Sequence, residues 1–187
     1  MRVIAGKFRS RRLKSPPSLQ VRPTSDRLRE TLFNVLGPTV EDSLFFDLYA
    51  GTGAIGIEAI SRGAREVIFV ESHVATGKLI RENLAALGIG DGAELIQSPA
   101  GRALEKLAAR HLLADFIFLD PPYNLPDEYT QTLEFLDTSH LVAPEGIVVA
   151  EHRRKIDLPD RFTRLERTRL LEQGDAALSF YRLAVAA

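Results

Sequence analysis

Residues 44–56 read Leu44-Phe45-Phe46-Asp47-Leu48-Tyr49-Ala50-Gly51-Thr52-Gly53-Ala54-Ile55-Gly56. An apolar run that contains one acid leads into a G-x-G-x-x-G turn, and a helical pattern begins at Ala54. Glycines in such a turn let the backbone come close to a ligand, because no Cβ atom stands in the way. The stretch predicts the first strand, turn and helix of a β-α-β unit, with a flat polar ligand at the turn.

Two acids near this turn narrow the choice of ligand. A G-x-G-x-x-G turn alone also fits a nicotinamide dinucleotide, whose pyrophosphate lies at the helix N-terminus. Here Asp47 precedes the first glycine, and Glu71 follows the next apolar run, 20 residues after Gly51. At that spacing a carboxylate can reach a pair of ribose hydroxyls. The two carboxylates favour a cofactor with a cationic end.

Strand and helix patterns alternate over most of the chain, which predicts one open, mostly parallel sheet with right-handed crossovers. A first helix is capped by Thr24 or Ser25 and ends at Gly37-Pro38. In the last part of the chain the apolar residues follow the period of strands, which predicts a hairpin with its turn near Gly174-Asp175. The predicted strands are 44–48, 67–70, 94–97, 116–119, 146–150, 162–171 and 177–185, and the later helices are 54–62, 74–87, 100–110 and 128–139.

A second motif, Asp120-Pro121-Pro122-Tyr123, directly follows the predicted strand 116–119. The aspartate and the prolyl carbonyls are hydrogen-bond acceptors, and the prolines have no N–H of their own to compete. Each X-Pro step also favours extended geometry, so the segment is stiff. It predicts a site for a planar amino group with a tyrosine as stacking surface, although the same four residues also fit a simple turn after a strand.

These two motifs are predicted to meet in one cleft. Ligands of open parallel sheets bind beyond the carboxyl ends of the strands, near the point where strand order reverses. Asp47, Glu71 and Asp120 all fall at such ends. In this order and spacing, the motifs resemble those of S-adenosylmethionine-dependent amino-methyltransferases, in which D-P-P-Y or N-P-P-Y presents an exocyclic amine to the methyl donor.

The amino-terminal segments narrow the resemblance to one family of these methyltransferases. Residues 2–13, RVIAGKFRSRRL, and residues 22–36, RPTSDRLRETLFNVL, resemble the opening of the RsmD-type family. That family methylates N2 of a guanine in bacterial 16S ribosomal RNA, and the similarity runs from residue 2 into the last hairpin. The resemblance implies a Rossmann-like class I methyltransferase fold, with a mostly parallel seven-stranded sheet, an antiparallel last strand and helices on both faces.

The resemblance also implies roles for individual residues. Asp47 and the turn glycines Gly51, Gly53 and Gly56 would hold the methionine part of S-adenosylmethionine, and Glu71 would bind the ribose. Many related enzymes place an acid after the third strand to contact adenine, where this chain has Gln97-Ser98-Pro99, so Ser98 is a candidate for that contact. The catalytic candidates are Asp120, Pro121, Pro122 and Tyr123, and the implied target is a guanine of the type at position 966.

Charge is unevenly distributed along the chain. Residues 1–30 carry nine Lys or Arg and two acids, whereas residues 31–187 have eight more acids than bases. A basic cluster of this kind is typical of polyanion binding, and the alternative is a solvated tail. Phe8 and Leu13, interleaved with the charges, favour a docked segment. Residues 1–23 are therefore predicted as a basic RNA-binding extension of a single domain 1–187, with RNA contacts from Arg2, Lys7, Arg9, Arg11, Arg12, Arg22 and Arg27. Arg29, which like Arg22 and Arg27 lies near the first turns of the first helix, is expected to face either the cofactor or the RNA.

Composition limits the remaining classes of function. The 187 residues include no cysteine, so disulfides and thiolate metal sites are excluded. No apolar run is long enough for a membrane helix or a signal peptide. We expect a cytoplasmic monomer that needs no metal and acts on 16S ribosomal RNA within an assembling or assembled small subunit. The four histidines, His73, His111, His140 and His152, show no ligand spacing, and a surface position is predicted for each.

Other functions remain open from the residues alone. One is methylation of a different amine, such as adenine N6 of nucleic acid or a protein glutamine, although glutamine modifiers usually have Asn in place of Asp120. Another is a dinucleotide-dependent oxidoreductase or a catalytically silent RNA-binding module. Neither of the last two would need both Asp47 and the D-P-P-Y segment.

Overall fold

The computed structural model describes residues 1–15 and 25–184. Their helices are α1 Asp26–Leu36, α2 Ala54–Ser61, α3 Val74–Leu87, α4 Ala100–Ala109 and α5 Asp127–Thr138, with a 3-10 helix Gly37–Val40 after α1. The strands are β1 Leu44–Leu48, β2 Glu66–Glu71, β3 Ala93–Gln97, β4 Ala114–Leu119, β5 Val142–Arg153, β6 Leu165–Gln173 and β7 Ala176–Leu183. Among these residues, no helix is long and apolar enough to cross a bilayer.

All seven strands form one sheet in the order β3-β2-β1-β4-β5-β7-β6. Strands β1 to β5 pair in parallel, and β7 lies antiparallel between β5 and β6. The predicted mostly parallel sheet with an antiparallel last strand is confirmed. The chain runs from β1 outward to β3 and then returns to place β4 on the other side of β1. Strand order therefore reverses between β1 and β4, which is where ligands of such sheets bind.

Most predicted elements are confirmed within a few residues, and β1 and α3 have the predicted bounds. Ser25 caps α1 by accepting the N–H of Leu28 at 3.1 Å, and the alternative cap Thr24 lies outside the described residues. Strand β5 is longer than predicted at both ends, because its pairing with β4 begins at Val142 and its pairing with β7 continues through Arg153. Strand β6 begins three residues later than predicted.

The late start of β6 is caused by the side chain of Asp137 at the end of α5. Its carboxylate accepts the N–H groups of Thr163, Arg164 and Leu165 at 3.1, 2.6 and 2.6 Å. These N–H groups are therefore bound by a side chain of α5, and the regular ladder with β7 begins only at Leu165. No pattern in the sequence before β6 reveals this distant acceptor.

The core consists of two apolar layers, one on each face of the sheet. Phe45 of β1 belongs to the layer under α1, α2 and α3, whereas Phe46 belongs to the layer under α4 and α5. All five residues of β1 are buried. A strand covered on both faces has a continuous apolar run, as the sequence of β1 shows. The expectation of helices on both faces is thus confirmed.

Helix α2 packs unusually close to the sheet at Gly56. A Cβ atom built on Gly56 would lie 2.3 Å from Cε1 of Phe69 and 2.8 Å from Cγ1 of Val67. Both neighbours are fully buried, so neither can move aside easily. This glycine therefore sets the distance between α2 and the strand that ends at Glu71.

We expect Gly56→Ala to lower the free energy of unfolding by about 1–3 kcal/mol, because the added methyl group overpacks the helix-sheet contact. The matched control is Gly101→Ala in α4, where a Cβ would meet no atom within 4 Å. That change should be neutral or raise stability by up to about 1 kcal/mol. Urea denaturation of both variants checks the difference, and equal stability of the two would contradict the packing account.

Candidate active site

A cleft of about 730 Å³ opens at the carboxyl ends of the central strands. Its size is within the range of small-molecule sites. The structure brings together most of the predicted site residues, which come from three different strand ends. Those that line the cleft are Asp47, Gly51, Glu71, Asp120, Pro121, Pro122 and Tyr123.

Asp47 holds the glycine turn in place from beneath. Its side chain is 1% exposed, and Oδ2 accepts the N–H of Gly56 at 2.9 Å, in the first turn of α2. Gly53 precedes that helix with a φ of 76°, a conformation that favours glycine. Gly53 and Gly56 do not line the cleft but shape the turn that does. Gly51, with a φ of 55°, is the glycine of the motif that lines it.

Glu71 connects the turn to the segment after β2. One carboxylate oxygen accepts the N–H of Gly51 at 2.9 Å, and the other accepts the N–H of His73 at 2.8 Å. Each carboxylate oxygen can accept a second hydrogen bond, so acceptor capacity remains for a ligand hydroxyl. Glu71 is therefore placed to fix the turn and to bind a ligand at the same time.

Asp47 and Asp120 are held in an environment that opposes their ionisation. Burial raises the pKa of Asp47 from 3.8 to about 8, and the charge of Glu71 adds to the rise, against the hydrogen bond from Gly56. The pKa of Asp120 is also raised well above its usual value, first by burial and then by the charges of Glu151 and Asp47. A positively charged ligand would relieve this repulsion.

The D-P-P-Y segment is supported from α5. The hydroxyl of Tyr129 donates to the carbonyl oxygen of Pro121 at 3.4 Å, a weak bond that leaves the second lone pair of that oxygen available. Tyr49, at a positive φ of 60° beside the glycine turn, donates to Oε2 of Glu128 at 2.7 Å. These two tyrosines tie both sides of the cleft to one helix.

Three residues in the cleft or next to its acids were not assigned a role from the motifs. They are Tyr49, Glu151 and Arg153. The guanidinium carbon of Arg153 lies 4.5 Å from the ring centroid of Tyr123. Glu151 is buried next to Asp120, because Ala150 pairs with Leu119 and the two acids follow these residues. Glu151 comes directly after the predicted strand 146–150, so the strand-end rule that selected Asp120 could also have selected it, whereas Arg153 lies three residues beyond that strand.

Two other predicted residues lie elsewhere. Ser98 is buried between β3 and α4 with its N–H bound to the carbonyl of Glu71 at 3.2 Å, and it does not line the cleft. Its contact with a cofactor stays a prediction.

The surface position predicted for His152 is wrong. Its ring is 2% exposed in β5, with Nε2 bonded to the hydroxyl of Ser179 at 2.8 Å. Pairing of β5 with β7 beyond residue 150 buries it.

The basic amino-terminal segment, residues 1–14, is docked on the body of the protein. Val3 and Leu13 are buried, and Arg2 and Arg12 form an antiparallel bridge. The carboxylate of Glu58 in α2 accepts the N–H groups of Ile4 and Ala5 at 2.7 and 3.0 Å. The expectation of a docked segment is therefore confirmed for these residues.

Arg29 occupies a different place from the one expected, which was at the cofactor or the RNA. Its side chain is fully buried and donates to the carbonyl of Arg2 at 2.5 Å and to Asp26 at 2.9 Å, with the carboxylate of Glu58 at 4.0 Å. Glu58 is fully buried in an apolar helix, and two cations compensate its charge, Arg62 at 2.8 Å and Arg29 at 4.0 Å. Arg29 therefore anchors the segment and is not available to a ligand.

The predicted RNA-binding residues that the structure describes lie on the surface, namely Arg2, Lys7, Arg9, Arg11, Arg12 and Arg27. Arg22 lies outside the described residues. Three of the six have side-chain contacts within the protein. Arg2 is 3.4 Å from Asp26, Arg11 donates to the carbonyl of Ala86 at 3.2 Å, and Nζ of Lys7 lies 5.3 Å from the centroid of the Phe8 ring. The segment thus presents several cations on one docked element.

Asn83 of α3 links this segment to the glycine turn. Its amide nitrogen donates to the carbonyl oxygens of Lys14 and Thr52 at 3.2 and 3.1 Å, and its oxygen accepts the N–H of Lys14 at 2.8 Å. The sulfur of Met1 lies 3.8 Å from the hydroxyl of Thr52. Both ends of the segment are therefore close to the cleft, because Thr52 lines it.

Comparison with known proteins identifies relatives along nearly the whole chain. Residues 1–182 match the model of a family described as conserved hypothetical protein 95. A putative rRNA methyltransferase YlbH from Bacillus subtilis is 35% identical over 182 residues, covering 97% of this chain and 98% of that protein. Ribosomal RNA small subunit methyltransferase D from Escherichia coli K12 is 35% identical over 159 residues, covering 85% and 78%.

A solved structure shows the same fold. The putative methyltransferase yhhF from Escherichia coli superposes with a TM-score of 0.84 at 31% identity, covering 98% of this chain and 97% of that chain. The match therefore includes the glycine turn, the D-P-P-Y segment and the terminal hairpin within one alignment.

The raised pKa of Asp47 predicts how its charge affects stability. Because the pKa in the folded protein, about 8, is above 3.8, ionisation costs the folded state more than the unfolded state. The contribution of this group to stability is therefore full below about pH 4 and is lost as the pH rises through about 8. Asp47→Asn keeps an acceptor for Gly56 without a charge. Relative to the parent protein, it should become more stable as the pH is raised from 5 to 9.

Thermal melts across this pH range test the expectation, with Asp91→Asn at an exposed position as the matched control. The control should show no such divergence from the parent protein. A stability gain in Asp47→Asn that does not grow with pH would contradict the buried-charge account.

Proposed function

Because the chain belongs to the family described as conserved hypothetical protein 95, the RsmD-type family that its motifs resemble, we propose that it is an S-adenosylmethionine-dependent methyltransferase acting on ribosomal RNA. Its proposed target is the exocyclic N2 amine of a guanine in 16S RNA. The observation that carries the proposal is the shared cleft, where the acidic glycine turn faces the D-P-P-Y segment.

The residues of the cleft fit S-adenosylmethionine. Asp47, Glu71 and Asp120 surround it, and the raised pKa values of Asp47 and Asp120 reflect burial first and then the charges of neighbouring acids. When bound, S-adenosylmethionine supplies a methyl group on a positively charged sulfur. We assign Asp47 and the glycine turn to its methionine end and Glu71 to its ribose hydroxyls. Positive charge in the cleft would lower the pKa of both aspartates and so ionise Asp120 for its role.

The D-P-P-Y segment is assigned to the acceptor amine. The lone pair of guanine N2 is delocalised into the ring and is a poor nucleophile. If the Asp120 carboxylate and the Pro121 carbonyl accept the two amino hydrogens, the nitrogen is drawn toward tetrahedral geometry and its lone pair is aimed at the methyl carbon. Of the groups assigned to the amine, Asp120 is the base that would accept the proton that the nitrogen loses when it is methylated. Positioning in this arrangement supplies much of the rate.

Tyr123 is assigned to stack on the target base, which must leave the RNA stack to reach the cleft. Pro122 keeps the turn stiff between the two functional residues. No step in this scheme requires a metal ion, because the leaving group is already activated.

The RNA substrate is supported by the docked basic segment and by the names of the relatives, a putative rRNA methyltransferase and a ribosomal RNA small subunit methyltransferase. We propose that residues 1–23 are an RNA-binding extension of a single domain, and that the protein acts in the cytoplasm as a monomer on an assembling or assembled small subunit. The choice of guanine N2, at a position of the 966 type, is supported by the family resemblance.

Asp120→Ala should reduce the rate of methyl transfer to 16S ribosomal RNA by on the order of 10²-fold or more, because a preorganised polar group at the reacting atom is lost. Binding of S-adenosylhomocysteine, followed by calorimetry, should stay close to that of the parent protein. Asp127→Ala, at an exposed position in α5, is the matched control and should keep full activity. Unchanged turnover in Asp120→Ala would refute the role of this residue in holding the amine.

Replacing both Arg9 and Arg12 with Ala should weaken RNA binding and reduce the slope of log affinity against log salt, because fewer counterions are released. Filter binding of a 16S RNA transcript at several salt concentrations measures the slope. Arg65→Ala is a suitable control. Arg65 is exposed just before β2, at the amino ends of the strands, whereas the cleft lies at their carboxyl ends. A slope equal to that of the control would mean that the segment does not contact phosphates.

A further inference from the structure

Arg153 is the one lysine or arginine among the described residues that line the cleft. It ends β5, directly after the buried pair Glu151 and His152, and its own side chain is exposed. The guanidinium carbon lies 4.5 Å from the centroid of the Tyr123 ring. The basic amino-terminal segment is a separate element, so Arg153 is a cation that the RNA-binding prediction did not include.

The position of Arg153 matters because a guanidinium group is planar and stacks on an aromatic ring as a nucleobase does. Tyr123 is the ring to which the proposed function assigns the target base. A guanidinium and a base cannot occupy the same face of one ring. A cation–π contact at an exposed site is weak, so the arginine can be displaced at little cost.

A displaced guanidinium next to RNA has an obvious anionic partner. Arginine binds phosphate oxygens through two parallel N–H donors, which favours it over lysine at such contacts. The nucleotide that delivers its base to Tyr123 brings its own phosphate to the mouth of the cleft, where Arg153 lies. The acids of the cleft, Asp47, Glu71 and Asp120, would repel a phosphate and instead suit the cationic cofactor.

We propose that Arg153 is a substrate-binding residue that covers Tyr123 in the free protein and binds the phosphate of the target nucleotide when the base replaces it on the ring. This inference rests on the proposed function and adds a phosphate contact to it. The contact lies in the cleft itself, whereas no lysine or arginine of the basic segment lines the cleft.

The chain offers a matched control in the next residue. Arg154 is also exposed, but its guanidinium lies 3.0 Å from the carboxylate of Glu172, and it does not line the cleft. An exposed ion pair of this kind contributes little to stability. Arg153→Ala and Arg154→Ala therefore remove the same charge from adjacent positions, and only the first removes it from the cleft.

The test compares Arg153→Ala, Arg153→Lys and Arg154→Ala in methylation of a 16S RNA transcript and in binding to it. For Arg153→Ala we expect the KM for RNA to rise about tenfold and the magnitude of the salt slope to fall by about 0.7, as for one lost contact to a single strand. Arg153→Lys should recover the slope, because it keeps the charge, but not the full affinity. Arg154→Ala should match the parent protein, and all three should bind S-adenosylhomocysteine as the parent does.

Two results would overturn the inference. If Arg153→Ala weakens S-adenosylhomocysteine binding and leaves the KM for RNA unchanged, the guanidinium serves the cofactor. If Arg153→Ala and Arg154→Ala behave alike, the position of Arg153 over Tyr123 has no role in substrate binding. Failure of the proposed function is distinguishable from both, since the parent protein would then methylate 16S RNA neither as a transcript nor within small subunits.

Discussion

The carboxylate of Asp47 is buried at the point where strand order reverses, and its hydrogen bond to the N–H of Gly56 ties β1 to α2. Burial without a counter-ion opposes ionisation of this group, and Glu71 and Asp120 place further negative charge around the same cleft. A folded protein tolerates such a cluster where a ligand compensates for it. The arrangement therefore lowers stability locally in exchange for affinity toward a cation, which in the proposed function is the methyl donor.

The other parts of the site depend on how this centre is supported. Glu71 fixes Gly51 and the segment after β2, while Tyr49 and Tyr129 tie the turn and the D-P-P-Y segment to α5. On the opposite side, Glu58 and Arg29 dock the basic segment against α2, the same helix that Gly56 holds close to the sheet. Asn83 then joins the end of that segment to Thr52. One helix thus positions both the proposed cofactor turn and the proposed RNA contact.

Much of this could be predicted from the sequence because the signals are local. The apolar run before Asp47, the glycine turn and the alternation of elements give the parallel sheet, and strand ends bring Asp47, Glu71 and Asp120 together. What could not be predicted depends on long-range partners. The start of β6 is set by Asp137, the burial of His152 by β7, and the burial of Arg29 by a carboxylate in another helix. Arg153 belongs to no motif, and its contact with Tyr123 depends on the pairing with β7 that extends β5 to residue 153.

In the proposed function, the cleft transfers a methyl group from S-adenosylmethionine to N2 of a guanine. The most direct test incubates the purified protein with unmodified 16S RNA, free or within small subunits, and isotopically labelled S-adenosylmethionine, and then identifies the labelled nucleoside by mass spectrometry after complete digestion. We predict that the label appears in N2-methylguanosine, at one site per RNA molecule. Label in N6-methyladenosine, or no labelled nucleoside from either substrate, would contradict the account.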